Sequence, residues 1–593
     1  MASATTPLLA DDRRPPIGSR DRLSDSEDEA LRGQSASTHS GRSLYLRLRE
    51  ILLFVWALFA TAGILILAVW VSHNQQTSSG KTSGKRNLVF MVSDGMGPAS
   101  LSLTRSFRQH VDGLEYGDTL TLDKHFWGSS RTRSSSSLVT DSAAGATAFS
   151  CGKKSYNGAI ATLPDHTPCG TVLEAAKRAG YMTGLVVTTD ITDATPACFS
   201  SHVGYRLEEG SIALQQIGQG ALNRTVDLMF GGGRCHFLPQ GAPGSCREDD
   251  IDVVKIAKEE FGWNYINNRA AFDEFWEGKK EVPLPMMGLF ADHDIPFELD
   301  RRNMNDIYPS LSEMAKTALR TLEKATEGSD KGFFLMIEGS RIDHAGHGND
   351  PAAQVREVLE YDKTVAAVLE FLDESAADGV MVATSDHETG GLSVAKQLHA
   401  DYPQYLWYPA VLANASSSSE FLAVKLLRHL ADESISATDM ASLPSDTLAP
   451  LKKYINDELV VKGLGIVDAT SEEITTVMLY PELSQYAFAQ MISNRAQIGW
   501  STHGHSAVDV NIYSSGGPGT EAIRGNVENT QIGEFLQSYL SVDTDEVTRI
   551  LREDKESKAR QQLAAQEGGQ HIAETDHWVV HESQVGLAAG SPA

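Results

Sequence analysis

Cysteine is scarce in this 593-residue chain: there are five, and no CxxC pair. That excludes a disulfide-built scaffold and a thiolate zinc site, so any metal must rest on His and carboxylate. Basic charge is short as well. Lys and Arg number 51 against 78 Asp and Glu, leaving a formal net charge of −27, with no Lys/Arg cluster of the kind a phosphate backbone demands. No nucleic-acid partner is expected. No internal repeat is visible. Apolar residues are plentiful, at 41%, enough for a substantial buried core in one large domain or several ordinary ones.

One run, ILLFVWALFATAGILILAVWV at 51–71, carries no charge and is long enough to cross a bilayer as a helix. It reads as a single transmembrane span. A core helix would show a polar face, and a signal peptide would not follow about fifty mostly polar residues. Arg42, Arg47 and Arg49 precede the run and Lys81, Lys85 and Arg86 follow it, so flanking charge is nearly balanced. Orientation rests on two glycosylation sequons after the run, at Asn223 and Asn414, which are useful only on the lumenal or outer side. The expectation is a single-pass type II glycoprotein. Residues 1–50 read as a disordered cytoplasmic tail, in which Pro7-Leu8-Leu9 resembles a sorting signal, and 72–85 as a flexible stalk. Tail and stalk together favour a vacuole or lysosome-like membrane, with the cell surface as the alternative.

From residue 86 to 543 the pattern is α/β. Apolar runs LVFMV (88–92), FFLMI (333–337) and VMVA (380–383) lead into Ser93-Asp94-Gly95, Glu338-Gly339 and Ser385-Asp386-His387. A helical stretch at 171–179 ends at Gly180 and precedes TGLVV (183–187). Helix-then-strand alternation with short apolar strands predicts a large, mostly parallel sheet covered by helices on both faces, with the site at the carboxyl ends of the strands. An insertion at about 395–500, helical near 420–431 and 486–496, is expected to form a subdomain. Residues 544–593 read as a charged helix, 546–566, and a polar tail.

Several clusters carry chemistry. Asp94-Gly-Met-Gly97 after a buried strand is, at its plainest, a tight turn. Asp343 and His347, one helical turn apart, share a face suited to metal capture; Asp386-His387 is another O/N pair, and His503 adds an imidazole, with His505 beside it read as a surface residue. With Glu338 they supply oxygen ligands for magnesium and mixed N/O ligands for zinc. In Thr140-Asp141-Ser142-Ala143 the plain reading is a helix cap. The functional reading places Ser142 where helix N–H groups favour an anion and a neighbouring zinc could activate the hydroxyl. Cys235 and Cys246 would close a short Gly/Pro-rich loop in an oxidising compartment, and Cys151 with Cys169 is a second candidate pair; five free thiols are the alternative.

The order Asp94-Gly-Met-Gly, Thr-Asp-Ser142-Ala, Asp193-Ala-Thr195-Pro-Ala with Arg206, Glu338-Gly-Ser-Arg-Ile-Asp343 with His347, Asp386-His387-Glu-Thr-Gly-Gly and Thr-His503-Gly resembles the alkaline phosphatase family. The resemblance implies phosphate monoester hydrolysis through a phosphoserine on Ser142, with broad leaving-group tolerance, and a homodimer. It also implies two zinc ions and one magnesium ion: Asp343, His347 and His503 on one zinc, Asp94, Asp386 and His387 on the other, and Asp94, Thr195 and Glu338 on magnesium. Asp193 would orient water on the magnesium, and Arg206 would clamp phosphate with Asp141 holding it. The chain departs from bacterial members, which often have Lys at the position of His344, and from animal members, which often have His at the position of Asp193. A phosphodiesterase of the same superfamily, usually with a Thr nucleophile, is the nearest alternative; a silent scaffold using the fold is the other.

Overall fold

The computed structural model describes residues 48–49, 51–65, 84–437, 440 and 444–553, and the chain divides into two compact units, 1–80 and 81–593. In the first unit residues 51–65 are helical, with Leu52, Phe54, Trp56 and Phe59 exposed. Positions 66–71 of the expected span lie outside the described residues, as do residues 1–47 with Pro7-Leu8-Leu9 and nearly all of the stalk. Among the described residues no helix is long and apolar enough to cross a membrane.

The second unit is built on strands β1 (Arg86–Val92), β2 (Phe126–Arg131), β3 (Met182–Asp190), β4 (Leu228–Gly232), β5 (Asn264–Ile266), β6 (Met286–Leu289), β7 (Phe333–Glu338), β8 (Asp378–Thr384), β9 (Glu388–Thr389), β10 (His505–Ser506), β11 (Val510–Ser514) and β12 (Gly525–Glu528). Ten of them form one sheet, ordered β12-β2-β11-β8-β1-β7-β3-β4-β6-β5, and β9 pairs with β10 separately. From β8 to β5 every pairing is parallel. β11 is the exception, antiparallel to both β8 and β2.

Alternation along each strand divides the interior into two layers. Leu88, Phe90 and Val92 of β1 join Leu185, Val187, Phe334 and Met336 in one core, which takes in Phe149 and Leu536. Val89 and Met91 turn the other way, onto Leu335, Ile337, Leu319 and Tyr361. Each fully buried side chain of this kind contributes roughly 1.5–3 kcal/mol, and because helices cover both faces the strands read as unbroken apolar runs.

The insertion forms a third core of its own. Leu412, Leu426, Leu459, Val477, Phe488 and Ile498 pack together, and Leu103, Phe107 and Val355 join them from the main domain. Its helices include Ser419–Asp432, capped by Ser418 accepting from the Phe421 N–H, and Ser484–Ala496, where the apolar periodicity puts them. The charged helix expected at 546–566 is present as Thr544–Glu553, and its remainder lies outside the described residues. Disulfides join Cys151 to Cys169 and Cys235 to Cys246; Cys198 is free and buried. Asn223 and Asn414 are both exposed.

Candidate active site

Four adjacent strands, β8, β1, β7 and β3, run parallel, so their carboxyl ends open on one edge of the sheet. β1 delivers Asp94, β7 ends on Glu338, β8 leads to Asp386 and His387, and β3 leads to Asp193 and Thr195. Behind β7 the helix Arg341–His347 carries Asp343 and His347 one turn apart. Gly95 is the hinge that lets these segments meet: its φ is +72°, and a Cβ there would lie 2.6 Å from the Cα of Asp343. Only glycine fits both demands.

The helix Ser142–Cys151 is buried along its whole length, with Asp141 as its N-cap accepting from the Ala144 N–H. Its small residues have a packing reason. A Cβ on Gly145 would come within 2.9 Å of the Cβ of Asp386, so the helix rests directly against the end of β8. This brings Ser142 Oγ to 3.0 Å from His387 Nε2.

Two imidazole–carboxylate groups flank that serine. In one, Asp94, Asp386 and His387 converge, with His387 Nε2 at 3.5 Å from Asp94 Oδ1 and 3.2 Å from Asp386 Oδ2. In the other, Asp343, His347 and His505 converge: His347 Nε2 is 3.2 Å from Asp343 Oδ2, and His505 Nε2 lies 3.2 Å from His347 Nε2. His505 therefore takes the place that the resemblance assigned to His503. The antiparallel pairing of β10 with β9, His505 opposite Thr389, draws His505 inward, and its ring stacks on His387 with centroids 3.5 Å apart. His503 is exposed, packs edge-on against Tyr486 and places Nδ1 on the carbonyl of His347. Thr389, which the sequence did not single out, ties the two groups together: its hydroxyl donates to Asp343 and lies 3.2 Å from His387 Nδ1.

Beside these groups the Glu338 carboxyl accepts from Ser340 Oγ at 2.7 Å, and the buried Thr195 hydroxyl faces it. Arg206 reaches across from the other side. Its Nη2 lies 2.6 Å from Asp193 Oδ1 and its Nη1 3.6 Å from Asp141 Oδ2, so Asp193 is the closer anchor and Asp141 the more distant one. Asp141 Oδ2 also accepts from the Gly158 N–H. His344 stands apart from both groups, with Nδ1 3.1 Å from Asp294 Oδ2 and Arg341 Nε 3.3 Å from the same nitrogen.

The electrostatics describe a pocket built for cations. Burial, and then the neighbouring carboxylates of Asp386, Asp343, Glu338 and Asp193, hold Asp94 well above the usual carboxyl range. Burial likewise lifts Glu338 to about 8, against the pull of the Ser340 and Thr195 hydroxyls. Burial opposes ionisation of Asp343, yet His347, His505 and His387 drive it well below its ordinary value. His505 is pushed down to about 3 by burial and by the adjacent imidazoles, which leaves a neutral ring with a lone pair to give. Burial lowers His344, and the Asp294 carboxylate more than compensates, raising it to about 9. Asp94 Oδ1 and Asp386 Oδ2 are buried with the shared His387 Nε2 beside them and no well-aligned hydrogen bond to either. Poorly satisfied carboxyl oxygens are costly in a protein interior, and divalent cations would satisfy both, so the donor set fits metal binding.

Comparison with known proteins agrees with this chemistry. The family model described as alkaline phosphatase matches residues 85–542. The chain is 51% identical over 512 residues to the repressible alkaline phosphatase of Saccharomyces cerevisiae, covering 83% of this chain and 88% of the relative. It is 45% identical to an alkaline phosphatase of Schizosaccharomyces pombe, over 84% and 90% of the two chains. Among solved structures, the cold-active alkaline phosphatase of a Shewanella species superposes with a TM-score of 0.61 at 29% identity, covering 77% of this chain and 99% of the other. The Thermus thermophilus alkaline phosphatase gives 0.62 at 26%, covering 80% and 98%. From strand-end carboxylates to whole-domain superposition, the chain belongs to the alkaline phosphatase family.

Proposed function

We propose that this enzyme hydrolyses phosphate monoesters through a phosphoserine on Ser142, with broad tolerance for the leaving group, at a site that takes two zinc ions and one magnesium ion. The observation that supports it most is the position of Ser142 Oγ, at a helix N-terminus and 3.0 Å from His387 Nε2, between two imidazole–carboxylate groups. Asp343, His347 and His505 would hold one zinc, Asp94, Asp386 and His387 the second, and Asp94, Thr195 and Glu338 the magnesium. Bound there, the cations supply Lewis acidity that lowers the pKa of the serine hydroxyl and offsets charge on the departing oxygen.

The side chains do the rest. Ser142 Oγ attacks phosphorus in line, the bond to the alcohol oxygen breaks, and the alcohol leaves; water then cleaves the Oγ–P bond and frees inorganic phosphate. Arg206 binds two phosphoryl oxygens with its planar fork, oriented by Asp193 at 2.6 Å. Because the residues assigned a role here act on the phosphoryl group, the alcohol would be left unrecognised. With zinc and magnesium supplied at alkaline pH, p-nitrophenyl phosphate is expected to turn over at least about a hundredfold faster than its bis ester, since the cationic clamp is matched to a dianion. The reverse preference would make the enzyme a phosphodiesterase.

For the chain's setting we propose one membrane span at 51–71, with residues 86–543 on the lumenal face of a vacuole-like membrane, as a homodimer. Support comes from the uncharged run itself, from the exposed apolar side chains of helical residues 51–65, and from exposed sequons at Asn223 and Asn414. Resistance to carbonate extraction together with a mass loss on N-glycosidase treatment is the expected behaviour. Release by carbonate, or an unglycosylated chain, would refute the topology.

A further inference from the structure

A third imidazole–carboxylate group lies outside the site described above. His236, on the short turn Arg234–Phe237 that follows β4, places Nε2 2.7 Å from Glu209 Oε2 and 3.0 Å from Asp190 Oδ2. Asp190 is the last residue of β3, and Glu209 opens the helix Glu209–Ile217. His293, in the loop after β6, brings Nδ1 to 3.8 Å from the same Asp190 oxygen. Three segments distant in sequence thus bring one imidazole and two carboxylates within reach of one point, with His293 beside them, and none of these residues has a part in the phosphoryl-transfer site.

Two observations separate this group from an ordinary ion pair. One N–H donates along one line, yet His236 Nε2 is shared between two carboxylates, as His387 Nε2 is shared between Asp94 and Asp386. The same arrangement thus occurs twice among the described residues, once at a site whose donors fit a divalent cation. Second, Asp190, the residue on which the group converges, is 5% exposed, and its other oxygen, Oδ1, is buried with no hydrogen-bond partner, an unmet acceptor on a ligand of the group. The surroundings are arranged as those of metal ligands usually are. Thr192 Oγ1 donates to Glu209 Oε2 at 2.7 Å. The Cys235–Cys246 disulfide lies against the rings, with Cys246 Sγ 3.3 Å from His236 Nδ1 and Cys235 Sγ 3.5 Å from His293 Nδ1, so the sulfurs are spent and the donors are nitrogen and oxygen alone.

We propose that Asp190, Glu209 and His236 form an additional site for a zinc-class divalent cation, with His293 at its edge. An imidazole nitrogen with two carboxylate oxygens suits zinc and its near neighbours better than calcium or magnesium, which prefer oxygen throughout. The two carboxylates balance the charge of the ion. From its place in the fold, the ion ties the carboxyl ends of β3 and β4 to the Glu209–Ile217 helix. Asp193 follows Asp190 by three positions and Arg206 precedes Glu209 by three, so the cation would brace both ends of the segment that presents Arg206 to phosphate.

The test is the metal content of the purified full-length chain after dialysis against zinc and then metal-free buffer. Wild type is expected to retain one zinc equivalent per chain more than Glu209→Gln and than His236→Gln. That extra equivalent should persist in His505→Ala, which alters only the phosphoryl-transfer site. In the two cluster variants KM for p-nitrophenyl phosphate should rise while kcat holds, because the anion clamp is loosened and the nucleophile is not. Equal zinc in wild type and both variants would overturn the proposal. Should neither variant fold, zinc-edge anomalous scattering from wild-type crystals decides: a peak between His236 and Asp190 is expected, and its absence at saturating zinc would overturn the site.

Discussion

His503 and His505 are chemically identical and two positions apart, yet one ring lies edge-on to Tyr486 and the other stacks on His387 beside Asp343. Chemistry follows placement, since an exposed imidazole and a buried neutral one are different ligands. Replacing His505 by Ala should cost at least about a hundredfold in kcat/KM together with loss of bound zinc, as removal of a metal ligand does. His503→Ala should stay within about threefold of wild type, as a surface change does. Steady-state kinetics with zinc analysis checks both, and the opposite ranking would return the ligand role to His503. Sequence alone could not choose between them, because the choice is made by a two-residue strand pairing, His505 with Thr389, that has no pattern of its own. Asp94, Glu338 and Asp386 were legible for the contrary reason: each follows an apolar run that could only be a buried strand. The group around His236 was illegible, because Asp190, Glu209 and His236 come from three separate segments.

Elements position the nucleophile by close approach. The helix Ser142–Cys151 can lie against the end of β8 only because Gly145 has no side chain, a Cβ there being 2.9 Å from that of Asp386. Gly145→Val should therefore cost about 1–3 kcal/mol of stability by overpacking, and a displacement of Ser142 near 1 Å should lower kcat by roughly a hundredfold. Thermal melts and kcat on one preparation check this, and unchanged kcat would show that the approach is dispensable. The runs at 88–92, 333–337 and 380–383 and the helices near 420 and 486 were readable from periodicity. The antiparallel β11 was not, since strand direction depends on the path of the preceding insertion rather than on side-chain pattern.

For the whole molecule, the crowding of carboxylates at one sheet edge predicts a metal-dependent pH response. Without cations, burial and like charge hold Asp94 well above its usual range and raise Glu338 to about 8. A raised carboxyl pKa means that the folded state binds the proton more tightly than the unfolded chain, so stability is present at low pH and is lost as pH rises toward the folded value. The chelator-treated protein should lose thermal stability steadily between about pH 5 and 8, while the loaded protein does not, so the gap between them widens with pH. A constant gap would mean that these carboxylates do not hold the cations. The claim on which the rest depends is that Ser142 carries the phosphoryl group. Acid quench of the loaded enzyme during turnover of a labelled monoester, followed by peptide mapping, measures it directly. Label on Ser142, absent from a Ser142→Ala variant that still binds zinc, is the predicted result; turnover by Ser142→Ala at the wild-type rate, or label on any other residue, would contradict it.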